Sequence, residues 1–175
     1  MTSPTQSWKT PATVLDLPLR IPPMPHTVDT ATEWLEADGL GGFSSGTTAG
    51  IRTRRYHALL LTATTPPTGR MVLVNGFDAW VETAAGRFAL SSQEYAPGLV
   101  HPDGAQRIQR FEADPWPRWF YRLEDGATVE YELFVPHGLS AVALRWRLTS
   151  EHRDLALFVR PFYSGRDYHS LHREN

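Results

Sequence analysis

Downstream of Glu33 the apolar and polar positions alternate, and the alternation has period two. Val129, Tyr131, Leu133 and Val135 alternate with Thr128, Glu130 and Glu132, as they do in a strand with one buried face. Val142, Leu144, Trp146 and Leu148 share a second such face, with Arg145 and Arg147 turned the other way, and Leu155, Leu157 and Val159 repeat the pattern. Three successive strands are predicted. Further strands are expected upstream over Tyr56 to Ala63, Met71 to Val74, Trp80 to Thr83 and Arg87 to Ser91. Between the runs stand Ala85-Gly86, Asp125-Gly126 and Pro136-His137-Gly138, residues that supply the fixed or positive φ of tight connections. No long amphipathic helix pattern intervenes. The expected class is all-β, a sandwich.

Composition sets the domain plan. Residues 1–28 are rich in Ser, Thr and Pro, with Pro22, Pro23 and Pro25 close together, and offer no face to bury. They are expected to form a flexible leader. Residues 29–165 carry the strand pattern and are read as one sandwich domain. Residues 166–175 end without a turn or cap signal and are read as the start of a linker toward a further domain. At 175 residues, 41% hydrophobic and 11% aromatic, the chain supplies one sizeable core. Lys and Arg number 17 against 19 Asp and Glu, a net charge of -2, so no basic field favours nucleic acid or an acidic membrane surface. There is no cysteine, hence no disulfide and no thiolate nucleophile. The N-terminal stretch has no continuous apolar run, so neither signal peptide nor membrane anchor is expected, and the cytoplasm is the expected compartment.

The most unusual segment runs Asp38-Gly39-Leu40-Gly41-Gly42-Phe43-Ser44-Ser45-Gly46-Thr47. Gly42 to Gly46 fits the G-x-S-x-G pattern of a nucleophile elbow around Ser44, but that elbow needs a strand, a turn and a helix, and no helix pattern follows Gly46. A phosphate loop would need Lys then Ser or Thr where Thr47 and Thr48 stand, and a dinucleotide fingerprint would need glycine in place of Ser44. Glycines that permit bulges and close backbone approach explain the segment more simply. They do not explain Arg54-Arg55-Tyr56-His57, which sets two planar five-donor forks beside a phenol and an imidazole. Such a cluster suits sugar hydroxyls or carboxylates.

Taken together, Glu33-Trp34-Leu35, Gly39 to Thr47 and Thr53-Arg54-Arg55-Tyr56-His57-Ala58-Leu59-Leu60 closely resemble the opening signature of bacterial and archaeal type glycogen-debranching enzymes, the amylo-α-1,6-glucosidases. The likeness continues through Gly69-Arg70 and returns at Arg166-Asp167-Tyr168-His169, covering roughly Glu33 to Asn175. It departs at Asp38, Phe43 and Ala58, where Asn, Tyr and Gly are common. The resemblance implies a mutarotase-like β-sandwich (supersandwich), followed in the whole enzyme by an (α/α)6 barrel that holds the catalytic carboxylates. No matched position here inherits a catalytic role, and no cofactor or metal is implied. The implied partners are an α-glucan, glycogen or limit dextrin, and the barrel of the same enzyme. Arg54, Arg55, Tyr56 and His57 are the candidates for positioning glucan or docking the barrel.

Trp116 and Trp119, in Trp116-Pro117-Arg118-Trp119-Phe120-Tyr121, are candidates for stacking on glucose rings or for an interdomain contact, against the simpler reading that they are core. A stand-alone carbohydrate-binding sandwich that uses these two tryptophans is the alternative function. His169 and His172, with Glu174, have no helix to hold a metal-ligand spacing. Glu94, Glu112, Asp114, Glu124 and Asp125 include enough carboxylates for an acid and a base, yet each sits among turn residues and reads as surface charge.

Overall fold

The computed structural model describes residues 27–65, 68–150 and 155–170. Of the expected leader only Thr27 and Val28 fall among them, and His172 and Glu174 lie outside. The described residues form an all-β sandwich. One sheet joins β1 (Glu33–Ala37), β2 (Phe43–Thr47), β3 (Ala58–Thr65), β4 (Gly69–Thr83) and β12 (Leu155–Asp167) in that order, with β5 (Gly86–Ala89) also paired to β4. The other joins β11 (Ala143–Leu148), β10 (Thr128–Phe134), β9 (Arg118–Arg122) and β8 (Ile108–Glu112). A short hairpin of β6 (Gln93–Tyr95) and β7 (Leu99–His101) and a 3-10 turn (Gly104–Arg107) link the two sheets. All paired neighbours are antiparallel.

The core lies between the sheets and is built by alternation. Tyr131 of β10 stands directly opposite Trp119 of β9 and Trp146 of β11. The three rings therefore stack in a row, with centroids 4.9 Å apart in both pairs. Phe77 of β4 meets Tyr131 and Trp146 edge-on from the opposite sheet, and Trp34 of β1 meets Trp119 in the same way. Each such pair adds roughly 0.5–1.5 kcal/mol beyond the apolar area it buries. Burial keeps the Tyr121 and Tyr131 phenols well above their ordinary pKa, so both rings stay neutral in the core.

Arg107 fastens the edge of this core. Its guanidinium is buried between Asp103 and Glu124 and donates two hydrogen bonds to each carboxylate, at 2.6 to 3.0 Å. These bonds hold both carboxyls below the usual range and tie the 3-10 turn to the β9–β10 connection.

Several features depart from the expected strands: Tyr56 and His57 lie in the turn before β3 instead of opening a strand, and Leu157 and Val159, expected on a buried face, are part-exposed. The runs Met71 to Val74 and Trp80 to Thr83 belong to one strand, β4. Asn75-Gly76 interrupts the apolar alternation, but pairing with β12 continues past it through a bulge. β12 itself runs to Asp167, two residues into the segment read from the sequence as a linker. There Arg166 and Asp167 pair with Val72 and Met71. The turns at Ala85-Gly86 and Asp125-Gly126 close the β4–β5 and β9–β10 hairpins.

The glycine-rich segment is the β1–β2 hairpin. Asp38 is buried at its tip, and its Oδ1 accepts the backbone N–H groups of Leu40 and Gly42 at 2.7 and 2.9 Å. At Gly39 φ is +77°, and a Cβ there would lie 2.2 Å from the His137 ring. At Gly42 a Cβ would lie 2.6 Å from the Leu61 carbonyl oxygen. Both positions therefore exclude a side chain. Ser44 is buried in β2 with its hydroxyl directed at the Ala58 carbonyl, so the segment makes a strand and not a nucleophile elbow.

Candidate functional site

The connection from β2 to β3 ends in a tight turn, in which the His57 N–H bonds the Arg54 carbonyl at 3.0 Å. A turn gathers consecutive side chains instead of alternating them, so Arg54, Tyr56 and His57 come together. His57 is 4% exposed. Its Nδ1 accepts the backbone N–H groups of Thr53 and Arg54 at 3.1 and 3.3 Å, which leaves that nitrogen unprotonated and puts the ring proton on Nε2. Nε2 faces Glu33 Oε1 at 3.4 Å, and the same carboxylate pairs with Arg54 Nε. Burial pushes the His57 pKa down, with Glu33 opposing, so the imidazole is held neutral.

The end of β12 closes the other side. The Tyr56 hydroxyl lies 3.0 Å from His169 Nδ1, and Arg55 Nη1 donates to the His169 carbonyl at 3.0 Å. Arg166, buried, donates to the carbonyls of Arg55 and Ser170 and so binds the turn to the chain segment after β12. The Tyr168 ring packs between Tyr56 and His169, with centroids 5.6 and 3.8 Å away. The Arg70 guanidinium lies 5.6 Å from the Tyr168 centroid, and its buried Nε finds no acceptor among the described residues.

All of these side chains except those of Arg55 and Arg166 line a hollow of about 540 Å3 on the side of the sheet away from the main core. Beneath its Phe43 and Tyr168 lining lies a second small cluster, Ala58, Leu61 and Val72, on which those two rings pack. Rings and guanidinium donors side by side fit the two kinds of surface a sugar presents, apolar C–H faces and hydroxyl edges. Glu33 is the only carboxylate lining the hollow among the described residues, and Arg54 and His57 already engage it. Hydrolysis of a glycosidic bond needs two carboxyl groups set across it, and the hollow does not provide them.

The four residues of the Arg54 to His57 cluster are thus assembled, Arg55 through its bond to His169 and the others as lining. Further members, among them Glu33, Arg70, Tyr168 and His169, come from distant elements. Their only sequence signal was the likeness of the segments around them. The two candidate tryptophans are not assembled together. Trp119 is 2% exposed, stacked on Tyr131, and its indole N–H bonds the Thr48 carbonyl at 2.8 Å. It is a core residue and not a stacking or interdomain one, because neither ring face is open. Trp116, half-buried in the β8–β9 connection, lies outside the core beside Phe134.

Three of the five candidate carboxylates have structural partners. Glu112 pairs with Arg110 and Arg118, Glu124 with Arg107, and Asp125 accepts the Thr83 hydroxyl at 2.8 Å. No group of three or more His, Asp or Glu side chains among the described residues is placed to hold a metal ion. No helix among them is long and apolar enough to cross a membrane.

Compared with known proteins, residues 32–175 match the model of one family, described as glycogen debranching enzyme N terminal. No curated protein and no solved structure matches the chain.

Proposed function

Because the chain belongs to the glycogen debranching enzyme N-terminal family, we propose that it is the accessory sandwich of an α-1,6-glucosidase acting in the cytoplasm on glycogen or limit dextrin. In this reading its hollow contributes to the glucan site and to the seat of the catalytic barrel. The observation that carries the reading is the meeting of Tyr56 with His169, 113 residues apart, in one lined depression. Tyr56 and Tyr168 offer ring surface, and Arg54 and Arg70 offer donors to hydroxyls. The chemistry itself falls to the barrel, since Glu33 stands alone.

The test is binding of maltoheptaose by this chain and its variants, followed by calorimetry. Arg54→Ala with Tyr56→Ala is expected to abolish the part of the binding that belongs to the hollow, and the chain alone is expected to release no glucose from limit dextrin. Unchanged binding in the double variant, or glucose release by the purified chain, defeats the proposal. The alternative of a free-standing binding module with paired tryptophans loses one of its two platforms, because Trp119 is enclosed.

A further inference from the structure

The outer face of the four-stranded sheet is largely a lattice of matched charges, with the Phe120 ring covered by Arg110 and the Phe134 ring left uncovered by any arginine among the described residues. Tyr131 and Leu133 point into the core, so Glu130, Glu132 and Phe134 point out. Glu130 pairs with Arg147 and Glu132 with Arg145, each opposite its partner in the β10–β11 register. At the end of this ladder Phe134, 43% exposed, stands opposite Ala143, and the small side chain leaves room above it. Trp116 fills part of that room, with its ring 5.3 Å from that of Phe134 at an interplanar angle of 68°. A hollow of about 300 Å3 lies between Trp116, Phe134, Glu132, Leu144 and Arg145.

Trp116 is held in a fixed pose. Its Nε1 donates to Glu132 Oε2 at 3.2 Å. The next residue, Pro117, is buried, and its carbonyl accepts the Leu133 N–H at 3.0 Å. A ring fixed in advance loses little freedom on binding a ligand. Beside it stand a carboxylate that accepts and a guanidinium, 61% exposed, that donates. The geometry points to a second glucan contact here, in which Trp116 and Phe134 take the C–H face of a glucosyl unit and Glu132 and Arg145 take its hydroxyls. The choice of ligand rests on the proposed function, but the site does not involve the hollow at Tyr56. The two lie on the outer sides of opposite sheets, so more than roughly 10 Å of packed core separates them. A short linear chain engages them independently, whereas a branched particle with many chain ends can engage both.

The test uses this chain, 15N-labelled, titrated with maltoheptaose, with the six indole N–H resonances as the readout. The Trp116 resonance, assigned by its loss in Trp116→Phe, is expected to shift. It should shift equally in Arg54→Ala, since sites this far apart act independently. In Phe134→Ser the affinity read at Trp116 should fall roughly tenfold, about the loss of one ring contact. Retardation by glycogen in native gels should weaken in the same variant. A Trp116 resonance that stays fixed while residues of the Tyr56 hollow shift overturns this site and leaves the proposed function standing. The reverse pattern overturns the hollow and leaves this site. If no resonance moves at millimolar ligand, both fall.

Discussion

The turn at Arg54 to His57 and the stretch from Trp116 to Tyr121 look alike in the sequence, each a dense run of rings and arginines. The structure treats them in opposite ways. The first lies in a turn, which collects neighbours on one side, and three of its four side chains line one hollow. The second enters a strand, β9, which sends successive residues to opposite faces. Trp119 and Tyr121 go into the core, Phe120 goes outward beneath Arg110, and Trp116, ahead of the strand, stays at the rim. A cluster of binding-type residues therefore predicts a site only where the backbone leaves them on one side.

The sharpest way to break the comparison is to remove the two tryptophans separately. Trp119→Ala should cost about 3–5 kcal/mol of unfolding free energy, the usual range for a fully enclosed ring. Trp116→Ala should cost about 1 kcal/mol, chiefly its bond to Glu132 and its partial burial. Equal costs in urea unfolding would show that both are core.

Within the turn, His57→Ala should cost about 1–3 kcal/mol, because the Thr53 and Arg54 N–H groups lose their acceptor in a buried place. A thermal midpoint unchanged from the parent would refute the tautomer assigned to His57.

A subtler separation comes from pH. Burial lowers the His57 pKa in the folded state, so as pH falls below about 6.5 the unfolded chain takes up this proton first. The folded state then loses stability until pH reaches the lowered value. Above about 6.5 the ring is neutral in both states and contributes nothing to the slope. Between pH 7 and pH 5 the parent should therefore lose more stability than His57→Ala. Parallel pH profiles for the two proteins would count against the lowered pKa.

The smallest effect on stability is expected at Arg54. Its ion pair with Glu33 is mostly exposed, so Arg54→Ala should change stability by about 0.5 kcal/mol or less while weakening maltoheptaose binding in the hollow. A large loss of stability would recast Arg54 as a structural residue.

Where alternation was clean, the fold was legible. The runs around Tyr131 and Trp146 became β10 and β11 because each has one apolar and one polar face, whereas β12 carries apolar residues on both faces and leaves Leu157, Phe158 and Val159 part-exposed. β8 and β9 were missed because Ile108 to Glu112 and Arg118 to Arg122 place arginines beside aromatic rings. A ring such as Phe120 packs outward under Arg110 and blurs the period. β6 and β7 were too short to show a period. Of the hollow, the Arg54 to His57 half could be read directly. The Glu33, Arg70 and Tyr168 half could not, because only the pairing of β12 with β4 and of β1 with β2 brings those residues across.

That β12–β4 pairing also bears on rates. Every other neighbouring pair in the two large sheets joins strands consecutive in the chain, whereas Leu155 returns to Thr83 across the whole second sheet. Closing so long a loop costs more entropy than closing a hairpin, so the two meanders should assemble early and β12 should dock late. A late-docking strand contributes little to the folding barrier and much to the unfolding barrier. Loosening the stack of Phe158 on Trp80 should accordingly shorten the lifetime of the native state without slowing its formation. Because Tyr168 and His169 travel with β12, the hollow is completed by the same event that latches the sandwich shut.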